Sequence, residues 1–423
     1  MAYRTMSPSI PKRMILLGAS LAALSGSALA SDVEEVGLSP VVIDQAEYRF
    51  DSAEQHGIAV QVIARGLVHG YSLAFLPGGD ALIVERGVRV RLLRGATSGK
   101  PELLSRAIAG IPDYSGQDHL HPDDVLGIQD IALHPQFARN GQIYFTYNQP
   151  VGFDAKAGRL TVSSILASAR LDGMRLVGMK DLVVGEPVIG AGGSRILFGA
   201  DGLVYASIGA LSTGDIASAQ RLDNIYGKVL RVGQDGSIPA DNPFAGQKGA
   251  RREILTYGHR DPLGLAIDPR SGALLASEHG PQGGDELNHI LPGRNYGWPN
   301  STYGNQYGGS PLPHAPVAPG TQGPIMTWLP AIAPSGISFY DATRFGQWKN
   351  NLFITSARRG QINGTGAIIR VVFNEKLEEL RQEVLLDGLH QRFKDIRQGP
   401  DGLLYALTDE DNSIVVRLAP AAE

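Results

Sequence analysis

A hairpin-like unit recurs six times along this chain, and that repetition limits the fold more than any other feature of the sequence. Each copy has an apolar strand, a turn carrying Pro, Gly or Asp, and a second apolar strand. The copies are "LAFLPGGDALIVE" from Leu73, "IALHPQFARNGQIYFTY" from Ile131, "ILFGADGLVYASIG" from Ile196, "LAIDPRSGALLASEHG" from Leu265, "ISFYDATRFGQWKNNLFITS" from Ile337 and "IRQGPDGLLYALTDE" from Ile396. β-Branched and aromatic residues fill the strands, and Gly or Asp sits at the turns, which is hairpin chemistry. Successive copies start roughly sixty to seventy residues apart, too far for one hairpin and far enough for a four-stranded sheet. Helical periodicity is weak. "EKLEELRQEVL" from Glu375 fits a helix or a strand pair equally. The pattern predicts an all-β fold, a six-bladed β-propeller with sheets set around a central axis. In such a ring, loops from distant blades meet at one mouth of the channel, so residues hundreds of positions apart can share a pocket.

The N-terminus carries a different signal. Arg4, Lys12 and Arg13 precede an apolar run from Met14 to about Leu24, and Ala28-Leu29-Ala30 offers a small-residue cleavage site. Residues 1–30 therefore read as a signal peptide cleaved near Ala30, leaving residues 31–423 as a single propeller domain, periplasmic or secreted. No later stretch approaches the ~20 consecutive apolar residues of a membrane span, so the mature chain is expected to be soluble. The chain has no cysteine, which excludes disulfides, thiol catalysis and Cys-ligated metals. Its 38 basic and 42 acidic residues nearly balance, with no basic run to track a phosphate backbone, so nucleic acid is not expected as a partner. A small molecule is. Monomer and homodimer are equally compatible with the sequence.

The segment "YGHRDPLGLAIDPRSGALLASEHGPQGGDELNHILPGRNYGWPN", Tyr257 to Asn300, closely resembles the signature region of the soluble pyrroloquinoline quinone (PQQ) dependent aldose sugar dehydrogenases, the glucose/sorbosone dehydrogenase family. The likeness continues in "GKVLRVGQDGSIPADNPF" from Gly227, "APSGISFY" from Ala333 and "QGPDGLLYALTDE" from Gln398, and spans nearly the whole mature chain. It implies a six-bladed propeller, PQQ and Ca²⁺ as cofactors, and a sugar or other alcohol as substrate. In the family a histidine deprotonates a sugar hydroxyl, hydride passes to the quinone, and calcium polarises the quinone carbonyl. The resemblance carries Arg260 and Arg392 over as matches; Asp261 stands where the family has asparagine, Arg358 where lysine is usual, and Lys394 where arginine is usual. Arg260, Asp261, Arg358, Arg392 and Lys394 thus mark the cofactor seat, whose four cations suit a tricarboxylate. In "EHGPQGGDE" the resemblance assigns the carbonyls of Gly280 and Pro281 to the quinone-linked calcium, with Asp285 in the same loop, and matches Glu286 and Tyr296 to positions that hold a second ion in some relatives.

Two departures concern proton transfer. Aligning "AGGSR" with the family's His-x-x-Gly-Arg pattern keeps Arg195 but puts Ala191 at the place of the catalytic histidine. Ala210, in "SIGAL", stands where the family has that histidine's aspartate partner. A changed loop, "DHLHPDDVLGIQD", brings His119 and His121 together with Asp118, Asp123 and Asp124. Histidines two apart on an extended segment share a face, and imidazole beside carboxylate is the composition of a general base, of a metal ligand set, or of an ordinary solvated loop. Three functions follow: a PQQ- and calcium-dependent oxidoreductase with Arg260 near the reacting oxygen and His119 or His121 as a relocated base; a non-catalytic small-molecule-binding or sugar-binding propeller; or a calcium-assisted hydrolase or lyase using the His119/His121 loop.

Overall fold

The computed structural model describes residues 37–39, 41–86, 89–114, 125–190, 192–210, 215–305, 307 and 315–421. Six antiparallel sheets form a ring. Blade 1 runs through Gly70–Phe75, Ala81–Glu85, Arg89–Arg94 and Glu102–Ala107. Blade 2 runs through Gly127–Leu133, Gln142–Asp154, Arg159–Asp172 and Arg175–Val184, with the short strand Val188–Ile189 added to its third strand. Blade 3 comprises Ser194–Phe198, Val204–Ile208, Lys228–Val232 and Ile254–Tyr257, and blade 4 Pro262–Ile267, Leu274–Glu278, Asp285–His289 and Met326–Trp328. Blade 5 comprises Pro334–Phe339, Leu352–Ser356, Ala367–Phe373 and Glu379–Leu385. The six recurring units are the two inner strands of each blade, as the sequence pattern implies. "EKLEELRQEVL" resolves as the exposed outer strand of blade 5, not a helix.

Blade 6 closes the ring. Its inner strands Phe393–Gln398, Leu404–Thr408 and Ser413–Pro420 are C-terminal, but the next strand is Ile58–Leu67 from the other end of the chain, followed by Glu47–Phe50. Val60 pairs with Leu418 and Val62 with Val416. The ring is thus fastened by hydrogen bonds between strands from opposite ends of the chain, while each of the other five blades is built from one continuous stretch.

Local chemistry explains why the inner hairpins form. In blades 3 and 6 the same Asp-Gly-Leu-x-Tyr sequence makes the turn: Gly202 and Gly402 adopt φ of 75° and 77°, a conformation that Gly takes without a Cβ penalty. Asp201 accepts the Leu203 N–H (3.1 Å) and the Tyr205 hydroxyl (2.8 Å); Asp401 accepts the Leu403 N–H (3.2 Å) and the Tyr405 hydroxyl (2.8 Å). Apolar clusters then occupy the junctions between neighbouring blades, for instance Tyr71, Val84, Ile131 and Phe145 between blades 1 and 2, and Val229, Leu265 and Ala276 between blades 3 and 4. Both faces of a blade are covered by its neighbours, so its strands are apolar on both sides. Among the described residues no helix is long and apolar enough to cross a membrane.

The axis is polar. Arg195, 1 % exposed, starts in blade 3 and reaches every other blade. Its guanidinium donates to the carbonyls of Tyr71 (3.4 Å), Leu263 (2.5 Å) and Lys394 (3.1 Å) and to Ser335 Oγ (3.2 Å). It lies 3.6 Å from Asp130 and 3.7 Å from Asp395. Arg397 bridges the same two carboxylates at 3.2 and 3.0 Å. Buried charge of this kind is tolerated because each group has partners.

Candidate active site

Loops at one end of the ring lead into the innermost strands, and each is tied to the end of its blade's second strand by an equivalent backbone bond. Gly209 N–H donates to the Gly193 carbonyl, His279 to Asp261, Ala357 to Ala333 and Asp409 to Arg392. Residues that precede "PLGLAI", "PSGISF" and "FKDIRQ" in sequence therefore gather at one mouth.

Three of the four expected cations converge there. The Arg260 guanidinium stacks over Trp298 at 5.3 Å and donates to the His279 carbonyl (3.2 Å) and towards the Tyr307 hydroxyl (3.5 Å). Lys394 places its ammonium 4.6 Å from the Tyr71 ring centroid. Burial pulls its pKa down to about 8, with Asp409 opposing and Arg195, Arg392 and Arg86 adding to the fall. Arg392 lies 4.0 Å from Asp409 and is the most open of the three. All three bear on His279: burial first, then Lys394, Arg260 and Arg392, lower that imidazole to about 3. Arg358 directly follows Ala357, whose N–H makes the mouth bond to Ala333. Its backbone N–H meets the Ile332 carbonyl at 3.5 Å, and its half-buried side chain has no hydrogen-bond partner among the described residues.

The "EHGPQGGDE" loop folds tightly around oxygen atoms. A Cβ on Gly280 would fall 2.2 Å from the Gly283 carbonyl oxygen and 2.4 Å from that of Gly284, so only glycine fits and the carbonyls crowd together. Pro281 packs against Gly304. Asp285 accepts the N–H groups of Gly280 (2.8 Å), Ile332 (2.7 Å) and Ala333 (2.7 Å), and burial raises its carboxyl to about 6. Its oxygens thus shape the loop and anchor it to blade 5. Behind it lies a cavity of about 10 Å³ lined by Arg260, Glu278, Gly280, Glu286, Tyr296 and Trp298, room for one water-sized guest. Burial raises Glu278 to about 7; burial and then the neighbouring Glu278 raise Glu286 well above its ordinary value. Two carboxyls held this close share a proton or a cation. The Tyr296 hydroxyl bonds to the His289 carbonyl at 2.5 Å, and its ring stacks on His259 at 4.4 Å. No group of three or more His, Cys, Asp or Glu side chains is arranged to hold a metal ion among the described residues, so a cation here would draw on backbone carbonyls.

Buried polar atoms without partners cluster in the same place. They include Arg260 Nε, His279 Nε2, Gln282 Oε1, Asn288 Oδ1 and Trp298 Nε1. Orphaned groups of this kind cost stability and point to a guest that would satisfy them. A site with converging cations, crowded carbonyls and orphaned donors fits an anionic group beside a hard cation.

Asp261, 4 % exposed, sits within the cation group; its Oδ1 accepts the Gly193 N–H at 2.9 Å. Ala210 is buried, and its N–H donates to the Arg260 carbonyl at 2.6 Å. His119, His121 and their neighbouring aspartates, together with Ala191, lie outside the described residues. Sequence reasoning passed over Glu278, His259, Tyr71, Trp298 and Asp409. Glu278, His259, Trp298 and Asp409 stood inside quoted motifs; Tyr71 gave no signal, because only the ring brings it to Lys394.

Fold and site together define a six-bladed propeller with converging cations and crowded backbone carbonyls at one mouth. The glucose/sorbosone dehydrogenase family profile matches residues 67–417, and the chain belongs to that family. It is 35% identical over 370 residues to the aldose sugar dehydrogenase YliI of Escherichia coli (strain K12), covering 86% of this chain and 93% of the relative. It is 27% identical over 470 residues to quinoprotein glucose dehydrogenase B of Acinetobacter calcoaceticus, covering 92% and 94%. The crystal structure of the soluble aldose sugar dehydrogenase from Escherichia coli in the apo-form superposes with a TM-score of 0.74 at 33% identity, over 86% of this chain and 99% of that one.

Proposed function

We propose that the protein is a sugar-oxidising oxidoreductase that works with PQQ and calcium in the periplasm. The observation that carries this reading is the convergence of Arg260, Arg392 and Lys394 around the unpartnered Arg260 Nε and His279 Nε2. Those cations would hold the quinone's carboxylates, with Arg260 nearest the reacting oxygen and Arg358 at the rim. The carbonyls of Gly280 and Pro281 would serve the calcium, while Asp285 keeps their loop in shape. Glu286 and the Tyr296 carbonyl would take a second ion. When bound, the quinone supplies a two-electron acceptor and calcium polarises it. The names of the relatives, an aldose sugar dehydrogenase and a quinoprotein glucose dehydrogenase, support the same substrate class. The leader-like residues 1–30 support export.

Purified protein titrated with PQQ and CaCl₂ should shift the quinone absorbance and then reduce a dye with some aldose. No shift at tenfold excess of both would refute the reading. A second reading is a propeller that binds sugar or anion without turnover, favoured by Ala210 at a proton-handling position of the family pattern. Quinone binding with no dye reduction by a panel of aldoses would favour it.

A further inference from the structure

We propose that Asp261 is the proton acceptor of this site. The inference rests on the sugar-oxidising reading and adds the residue that takes the hydroxyl proton.

The case is geometric. Asp261 ends the "GHRD" segment that leads into the inner strand of blade 4 and crosses to blade 3, where its Oδ1 accepts the Gly193 N–H at 2.9 Å. A Cβ on Gly209 would fall 2.0 Å from that same Oδ1, so Gly209 leaves the space the carboxylate occupies. Gly192 and Gly193 also lack side chains, and a Cβ on Gly192 would collide with the Gly209 backbone at 2.7 Å. Blade 3 is pared down to glycine around this one acid. Among the described residues the bond from Gly193 is the one hydrogen bond that the carboxylate makes.

The other candidates are spent. Asp285 holds three backbone N–H groups. Glu278 and Glu286 share Asn288 Nδ2, at 3.1 and 3.0 Å, and Glu278 also meets His259. Asp409 is bound to His69 at 3.0 Å, which together with nearby cations holds it at about 2 despite burial, too acidic to take a proton. His259 and His279 are each lowered to about 3, first by burial. Asp261 differs: burial raises its carboxyl above the ordinary value, while the Gly193 N–H, Arg260 and Lys394 oppose that rise. Among the described residues Tyr71 and Glu278 also feel its charge. A carboxylate raised by burial and flanked by cations can accept a proton and return it to solvent.

In the balanced step, the alcohol O–H bond breaks and an O–H bond forms on Asp261. The adjacent C–H bond would break as its hydride, with both electrons, is given up to the two-electron oxidant that a bound quinone would supply. The product is the carbonyl compound, a lactone when the substrate is an aldose.

Asp261→Asn tests this cleanly, because the amide oxygen can still accept the Gly193 N–H and the shape is unchanged. With PQQ, CaCl₂ and an aldose that the wild type oxidises, the variant should lose roughly 10²- to 10⁴-fold in kcat. Its PQQ affinity, read from the absorbance titration, should be unchanged or several-fold tighter, since a charge that repels carboxylates is gone. The wild-type acid limb of kcat/KM should be absent from the residual activity. The inference alone falls if wild type turns over and Asp261→Asn keeps kcat within threefold, or if His119→Ala/His121→Ala abolishes that limb while Asp261→Asn preserves it. It falls together with the functional reading if wild type neither binds PQQ nor reduces dye.

Discussion

Arg195→Met strikes the axis of the ring. The methionine can follow much of the arginine stem, so the loss is mainly polar: three carbonyls, Ser335 Oγ and two buried carboxylates lose a donor. Breaking a buried ion pair outright costs about 3–5 kcal/mol. Here Arg397 still bridges Asp130 and Asp395, and each carboxylate keeps a backbone donor, Ile196 N–H at 3.0 Å and Leu73 N–H at 2.9 Å. The ion-pair part therefore falls at the low end, about 3 kcal/mol. The unsatisfied carbonyls add about 1 kcal/mol, because hydrogen bonds that share one donor group do not sum. A total near 4 kcal/mol is expected in urea unfolding followed by tryptophan fluorescence. The Lys394 carbonyl is one of the lost acceptors, so PQQ affinity should also weaken. A loss below about 1 kcal/mol would refute the view that Arg195 couples the blades, since a surface arginine typically costs no more.

Lys394, with its pKa near 8, loses its charge as pH rises through that value, so PQQ affinity should fall between pH 7 and 9. Lys394→Met should be weaker throughout and flat across that window in the same titration. Glu278, raised to about 7, holds a proton in the folded state that the unfolded chain releases near pH 4.5. Thermal stability without calcium should then decline as pH rises from about 4.5 to 7, by at most about 1.4 kcal/mol per pH unit for this group, and CaCl₂ should lessen the decline. A melt independent of pH over that range would contradict the assignment. Asp285→Ala strips the acceptor from three N–H groups and should cost about 3 kcal/mol, whereas Asp285→Asn should cost clearly less. Equal losses in the two variants by urea titration would show that the carboxylate's shape is not what holds the loop.

Reading the sequence works best where the cause is short-range. The Asp-Gly-Leu-x-Tyr turns specify their hairpins within five residues, through a glycine at positive φ and an aspartate that binds the backbone two residues on. Outer strands carry weaker signals, because exposure relaxes their pattern: "ELRQEVL" is mostly solvent-facing and so mimics an amphipathic helix. The candidate site was partly legible, since Arg260 and the glycine loop lie in one contiguous motif that carries the family resemblance. Arg260, Arg358, Arg392 and Lys394 were all visible only through family resemblance, because they stand in three separate segments that only the ring brings to one mouth.

The amino-acid order alone determined the number of blades, since each inner hairpin is written in local turn chemistry and strand alternation. Ring closure was decided only in three dimensions, where Ile58–Leu67 completes a sheet begun by residues 393–420. So were the contacts of Arg195 with the other five blades and the seat of Asp261 against Gly193 and Gly209. Such pairings join groups from tens to hundreds of residues apart, and no local propensity encodes them. They exist because packing six apolar-faced sheets in a circle brings their polar inner edges together, where each buried charge must find a partner.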